Sequence, residues 1–306
     1  MVLAVLLGVL YGLVSVAGSV FDGDNSKTAA DSTVATAGTI AATGTIAVGD
    51  DPSVSGSGGP VVETNTPATT AAIDTTILTT TTLADVNTVP TAADPARVLL
   101  LGDSEAGGLS PFLQDVLDDT GIVAMDVDYK SSTGLVRPDY FDWPARLRER
   151  VPVLAPDIVV ALFGGNDGQP FLNTVNNVDT PEWRAEYATR VAEVIDILTA
   201  DGRTLIWVGV PNAEDESLTA NLQVQNEVAK TEVGKHSAVT FVDAWGIFTG
   251  IDGGFAPNVM DPRDGEFKPV RSNTDGFHLN VTGEEILAFE VGRAVIDALR
   301  DRGAAI

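Results

Sequence analysis

Between Asp22 and Ala96 the chain contains no Phe, Tyr or Trp, and 18 of those 75 residues are Thr, mixed with Ala, Gly, Ser, Asp and Pro. Such side chains bury too little apolar surface to offset the entropy lost when a backbone is ordered. The segment reads as a disordered tether, with the threonines at 79–82 as candidates for O-glycosylation. A packed core is thereby confined to residues 97–306, which hold every aromatic except Tyr11 and Phe21. Ahead of the tether, residues 2–20 are almost continuously apolar and uncharged. As a helix rising ~1.5 Å per residue they would reach roughly 28 Å, about one bilayer core. The organisation expected is a membrane anchor or signal segment over 1–21, a Thr/Ala-rich linker over 22–96, and one folded domain over 97–306. An uncleaved anchor would hold that domain outside the membrane, facing the exterior or periplasm. Because Ser15-Val16-Ala17 fits a small-x-small cleavage site, secretion after signal removal is the alternative.

Charge narrows the partners. The chain carries 43 acidic and 18 basic side chains, a formal charge of −25, and beyond residue 96 there are still 34 acids against 17 bases. A surface this acidic repels phosphate backbones, so nucleic acid is excluded as a partner. There is no Cys, hence no disulfide and no thiolate metal site. The Asp-rich stretch 252–266 lacks the regular ligand spacing of a calcium loop, and neither a G-x-G-x-x-G run nor a P-loop lysine is present. Neither a metal nor a cofactor is expected.

Within 97–306, short apolar runs at 97–101, 122–127, 157–163, 203–210 and 239–242 alternate with helical patterns at 104–119, 144–153, 181–200, 217–235 and 282–302. That alternation is the mark of strand-helix-strand units and a parallel sheet. The run from Asp157 to Phe163 has no polar alternation, as expected of a strand covered on both faces. Thr180 followed by Pro181 marks one helix start, and Thr282 ahead of Glu284 and Glu285 marks another. In open sheets of this kind ligands bind beyond the carboxyl ends of the strands.

Four short blocks fall at such ends. Gly102-Asp103-Ser104 closes the first strand, so Ser104 is either a nucleophile at a helix mouth or merely part of the cap. A serine hydroxyl needs a base, and the chain has two histidines. His236 lies in a polar helix exit and reads as solvated. His278 precedes the last helix, with Asp275 three residues upstream, able to hold one ring nitrogen and leave the other toward Ser104. Gly164-Gly165-Asn166-Asp167 follows the third strand and could aim the Asn166 amide at an oxyanion; Gly134 follows the second strand and could add its N–H. The run 136–143, including Arg137 and Trp143, either stacks against a sugar at the mouth or packs on the domain.

The order of these blocks resembles the SGNH or GDSL family of serine hydrolases, over about residues 97–303. The stretches 134–140 and 181–187 look like an envelope-tethered branch of it, usually described only as a domain of unknown function. The resemblance implies a flavodoxin-like three-layer α/β/α fold with a five-stranded parallel sheet. It also implies Ser104 as nucleophile, His278 as base then acid, and Asp275 as its orienting partner. The oxyanion hole would be Ser104, Gly134 and Asn166, with Arg137, Asp167 and Trp143 toward substrate. The activity implied is extracytoplasmic removal of short acyl groups, foremost O-acetyl, from a small-molecule or carbohydrate ester. The alternatives are an O-acyltransferase using the same serine and a catalytically weak glycan-binding module. One departure stands out: Glu105 follows the nucleophile where family members commonly carry an apolar residue. A carboxylate there could repel an anionic substrate, favour a charged imidazole, or point outward.

Overall fold

The computed structural model describes residues 88–172 and 177–306; the expected anchor and nearly all of the linker lie outside the described residues. Five strands, β1 (Ala96–Gly102), β2 (Val123–Tyr129), β3 (Ile158–Leu162), β4 (Thr204–Val208) and β5 (Val239–Val242), form one sheet in the order β2-β1-β3-β4-β5. Every pairing is parallel. This is the doubly wound order of flavodoxin-type folds, with its switch point at β1 and β3. Each expected strand is present, and β3 is buried along its whole length.

Helices α1 (Ser104–Asp118), α2 (Trp143–Leu154), α3 (Pro181–Thr199) and α4 (Glu216–Val233) lie within one or two residues of the expected spans. The short α5 (Ala244–Ile247) and the hairpin of β6 (Asn258–Met260) and β7 (Phe267–Pro269) were not expected, and α6 (Val281–Asp301) closes the chain. Successive side chains of a strand face opposite ways. Val98 and Leu100 therefore pack with Leu109, Leu113, Ile286 and Val291 of α1 and α6, while Leu99 and Leu101 pack with Trp143, Leu147, Trp183 and Val191 of α2 and α3. Trp207 of β4 joins the second cluster.

Local chemistry sets the helix starts. Thr180 accepts from the Trp183 N–H ahead of Pro181, as its spacing implies. At α6 the cap is Asn280, which accepts from the Gly283 N–H; Thr282 lies inside the first turn, which corrects the expected start. In the Asp-rich stretch, Asp261 is fully buried and held by Arg263 at 2.7 Å and Lys268 at 2.9 Å, so this carboxylate anchors the hairpin. Among the described residues no helix is long and apolar enough to cross a membrane.

Candidate active site

The turn between β1 and α1 brings Ser104 to the carboxyl edge of the sheet. Gly102 makes the turn possible: its φ is +149°, and a Cβ there would come within 1.9 Å of the Leu162 carbonyl oxygen. Asp103 caps α1 by accepting from the Glu105 N–H at 3.1 Å, and Ser104 is the first helical residue. Its own N–H has no acceptor within the helix. Across a separation of 174 residues, Ser104 Oγ lies 3.0 Å from His278 Nε2. His278 Nδ1 lies 2.7 Å from Asp275 Oδ2, and Asp275 Oδ1 accepts the N–H groups of Phe277 and His278, each at 3.0 Å. Partial burial pushes the Asp275 carboxyl up, but these donors outweigh it and leave it below its usual range. An ionised Asp275 fixes the proton on Nδ1 and leaves Nε2 with a lone pair toward Ser104. His236, at the opposite end of the sheet before β5, has no part in this.

The loops after β2 and β3 meet beside the serine. The Asn166 amide nitrogen donates to the Thr133 carbonyl at 2.9 Å and faces Asp103 Oδ2 at 3.4 Å. Asp103 Oδ2 also accepts from the Gly165 N–H at 3.1 Å, so this buried carboxyl ties the end of β1 to the end of β3. Burial pushes Asp103 up to about 7 against the pull of the Glu105 N–H, with the nearby Asp167 adding to the rise. Gly134 sits against Asp167, where a Cβ would come within 2.1 Å of Oδ1; no hydrogen bond is recorded for its N–H.

Of the residues expected to face substrate, Trp143 does not, and Asp167 borders the site from a buried position. Asp167 is buried and accepts from the Leu135 N–H at 3.0 Å, the Val136 N–H at 2.9 Å and the Tyr187 hydroxyl at 3.1 Å. Its carboxylate therefore fixes the backbone that carries Gly134. Trp143 is fully buried, donates its indole N–H to Thr133 Oγ1 at 3.0 Å, and meets Phe141 and Phe163 edge-on. Of the two alternatives for the 136–143 run, the packed one holds at Trp143. Arg137 stays at the surface, paired with Asp139 at 2.8 Å, and lines a cavity of about 180 Å³ together with Ser132, Gly134, Tyr140, Asn166, Asp167 and Gln169. Thr133, Tyr187 and Arg190, which donates to the Leu135 carbonyl at 2.7 Å, support the site without having been singled out from sequence. Thr133 had the sequence signal of adjoining Gly134 and Tyr187 that of a place in the 181–187 run; Arg190, three residues beyond that run, had none.

Glu105 points inward rather than outward. It is 1% exposed, neither carboxyl oxygen has a hydrogen-bond partner, and Oε1 lies 3.5 Å from His278 Nε2. Burial first, then the neighbouring Glu284 and Asp103, push its carboxyl well above the usual range, with Arg271 opposing.

The fold and this geometry define a doubly wound α/β protein with a Ser–His–Asp relay at the carboxyl edge of its sheet. Residues 97–294 match the family described as protein of unknown function (DUF459), and the chain belongs to it. Comparison with the curated proteins gave no match. Among solved structures, the chain is similar to a GDSL-like lipase from Bacteroides thetaiotaomicron, with 18% identity and a TM-score of 0.50 over 69% of this chain and 92% of that one. It is similar to a carbohydrate esterase family 3 protein from Talaromyces cellulolyticus, with 16% identity and a TM-score of 0.47 over 67% and 99% of the two chains. A further similarity is to an acetylxylan esterase from Geobacillus stearothermophilus, with 19% identity and a TM-score of 0.45 over 65% and 94%. At such identities the first of these speaks for the fold alone.

Proposed function

We propose that the protein is a carboxylic ester hydrolase of the SGNH type that removes short acyl groups through an acyl-Ser104 intermediate. The observation that carries this reading is the continuous path from Ser104 Oγ to His278 Nε2 at 3.0 Å and from His278 Nδ1 to Asp275 at 2.7 Å. In the reaction Ser104 Oγ attacks the ester carbonyl while its proton passes to His278 Nε2, and Asp275 stabilises the imidazolium that forms. The oxyanion is met by the N–H groups of Ser104 and Gly134 and by the Asn166 amide, which turns away from its longer contact with Asp103. His278 then returns its proton to the leaving alkoxide, and a water activated by the same nitrogen releases the acid.

A short acyl group, foremost acetyl, suits the cavity of about 180 Å³ beside Gly134 and Asn166. Its polar wall, with Arg137, Tyr140 and Gln169, suits an alcohol bearing hydroxyls, such as a sugar. The uncharged segment 2–20 and the Thr-rich stretch behind it support display of the domain outside the membrane, against polysaccharide of the envelope or surroundings. Fluorophosphonate labelling and p-nitrophenyl acetate hydrolysis by wild type and Ser104→Ala test the assignment. Wild type labels and turns over, and the variant does neither. Equal hydrolysis by Ser104→Ala would remove the serine from the chemistry.

A further inference from the structure

The carboxyl of Glu105 occupies a place that neither helix capping nor ester hydrolysis calls for. A side chain in the first turn of a helix ordinarily reaches water, yet this one is buried where α1 packs on α6. Across from it stands Glu284 in the first turn of α6, itself 6% exposed, with Oε2 lacking any hydrogen-bond partner. Space for Glu284 comes from Gly108 on α1, where a Cβ would come within 2.3 Å of Oε1. The groups facing Glu105 are Asp103 from the end of β1, Glu284 from α6, Arg271 from the segment after β7, and Asp275 and His278 from the loop before α6. Arg271 forms no ion pair with this cluster. Its bonds go to the carbonyls of Ala256, Phe277 and Phe248 and to Asn212 Oδ1. His278 Nε2, the nitrogen that also faces Ser104, lies 3.5 Å from Glu105 Oε1.

Resting on the hydrolase reading above, we propose that Glu105 is a positioning residue and second proton partner of His278, and that one proton moving between Glu105 Oε1 and His278 Nε2 switches the imidazole between base and idle imidazolium. The balance is simple. In the working form the Glu105 O–H bond is intact and Nε2 keeps its lone pair for the Ser104 proton. In the idle form that O–H bond has broken, an N–H bond has formed at Nε2, and a carboxylate faces an imidazolium with no net change of charge. The ratio of the two forms follows from how readily Glu105 gives up its proton. Burial holds the proton on Glu105, and the charge of Arg271 draws it off. The titration then belongs to the pair and not to the ring alone.

Two substitutions abolish this exchange. Glu105→Gln removes the exchangeable proton, so the ring loses its carboxylate partner. The titration of the His278 ring, followed by NMR on the full chain with the solvent-facing His236 as internal reference, should move to lower pH by about one unit. The acid limb of p-nitrophenyl acetate hydrolysis should move with it. Glu105→Met, close in volume and with no proton to exchange, should move both readouts in the same direction. A carboxyl that merely fills space would leave the His278 titration unmoved in both variants, and that result overturns the proposal. Should Glu105→Gln fail to fold, the Glu105→Met shift decides alone: downward supports, unmoved or upward refutes. The NMR titration needs no turnover, so a wild-type protein inert toward esters would sink the hydrolase reading and leave this measurement standing.

Discussion

Two carboxyl groups flank the imidazole of His278, and the molecule treats them in opposite ways. Asp275 sits in a loop, 41% exposed at its side chain, with two backbone N–H groups and the ring Nδ1 bound to it. Glu105 sits inside the α1–α6 packing, sealed from water and with no donor at either oxygen. The first is pushed below its usual range and the second well above it. Distance from the ring does not separate them so much as solvation and donors do: a carboxylate stays charged where N–H groups replace water, and takes up a proton where nothing does. One side of the histidine is therefore built to stabilise positive charge, and the other to withhold negative charge until a proton moves.

Removing the charged partner should have the largest effect. Asp275→Asn leaves the loop in place but frees Nδ1 to carry the wrong tautomer, and kcat/KM toward p-nitrophenyl acetate should fall by about 10³-fold or more. A fall no larger than that of Glu105→Gln would erase the contrast between the two carboxyls. Next comes Asn166→Ala, expected to lower kcat by about 10²-fold with KM little changed, because its amide is placed to act on the transition state. Steady-state kinetics checks it.

The buried side is better probed by stability. Burial pushes Glu284 up to about 8, above its value in an unfolded chain. Between about pH 4.5 and 8 the unfolded chain has released a proton that the folded one retains, so this group makes stability fall as pH rises. Urea unfolding of Glu284→Gln against wild type should show little pH-dependent difference near pH 4. An advantage for the variant should grow to on the order of 1–3 kcal/mol by about pH 9. Asp275 runs the other way: its contribution is present above its unfolded value and lost on acidification. The smallest effect expected is that of Tyr187→Phe, which removes one donor from Asp167 and should cost about 1 kcal/mol in the same assay.

What the sequence disclosed about this site tracks how local each signal was. Ser104, Asp275 and His278 each sit in a short block at a strand end or helix entry, and the α/β alternation brings such blocks to one edge of the sheet. Trp143 was misplaced, and the burial of Asp167 was not foreseen, because their partners are distant in the chain. Asp167 binds N–H groups 31 and 32 residues away, and Trp143 reaches its hydroxyl partner ten residues back. Nothing in a window around either residue shows this. The orientation of Glu105 stayed open for a related reason, since its burial is created by α6, nearly 180 residues further on. The strands of the 258–269 hairpin, three residues each, are too short for a period to register. The α6 start was displaced because Asn280 and Thr282 are both competent caps, and only geometry chooses between them.

Because β1 lies between β2 and β3, the chain leaves the sheet edge there in diverging directions. The cavity wall is drawn from the stretches after β2 and β3, whereas the three relay side chains come from the α1 start and the approach to α6. On the proposed reading, the side chains that meet the alcohol and those of the proton relay thus lie on separate pieces of polypeptide. On that reading, substitutions at Arg137, Tyr140 and Gln169 would change the alcohol accepted without retuning the histidine of the relay.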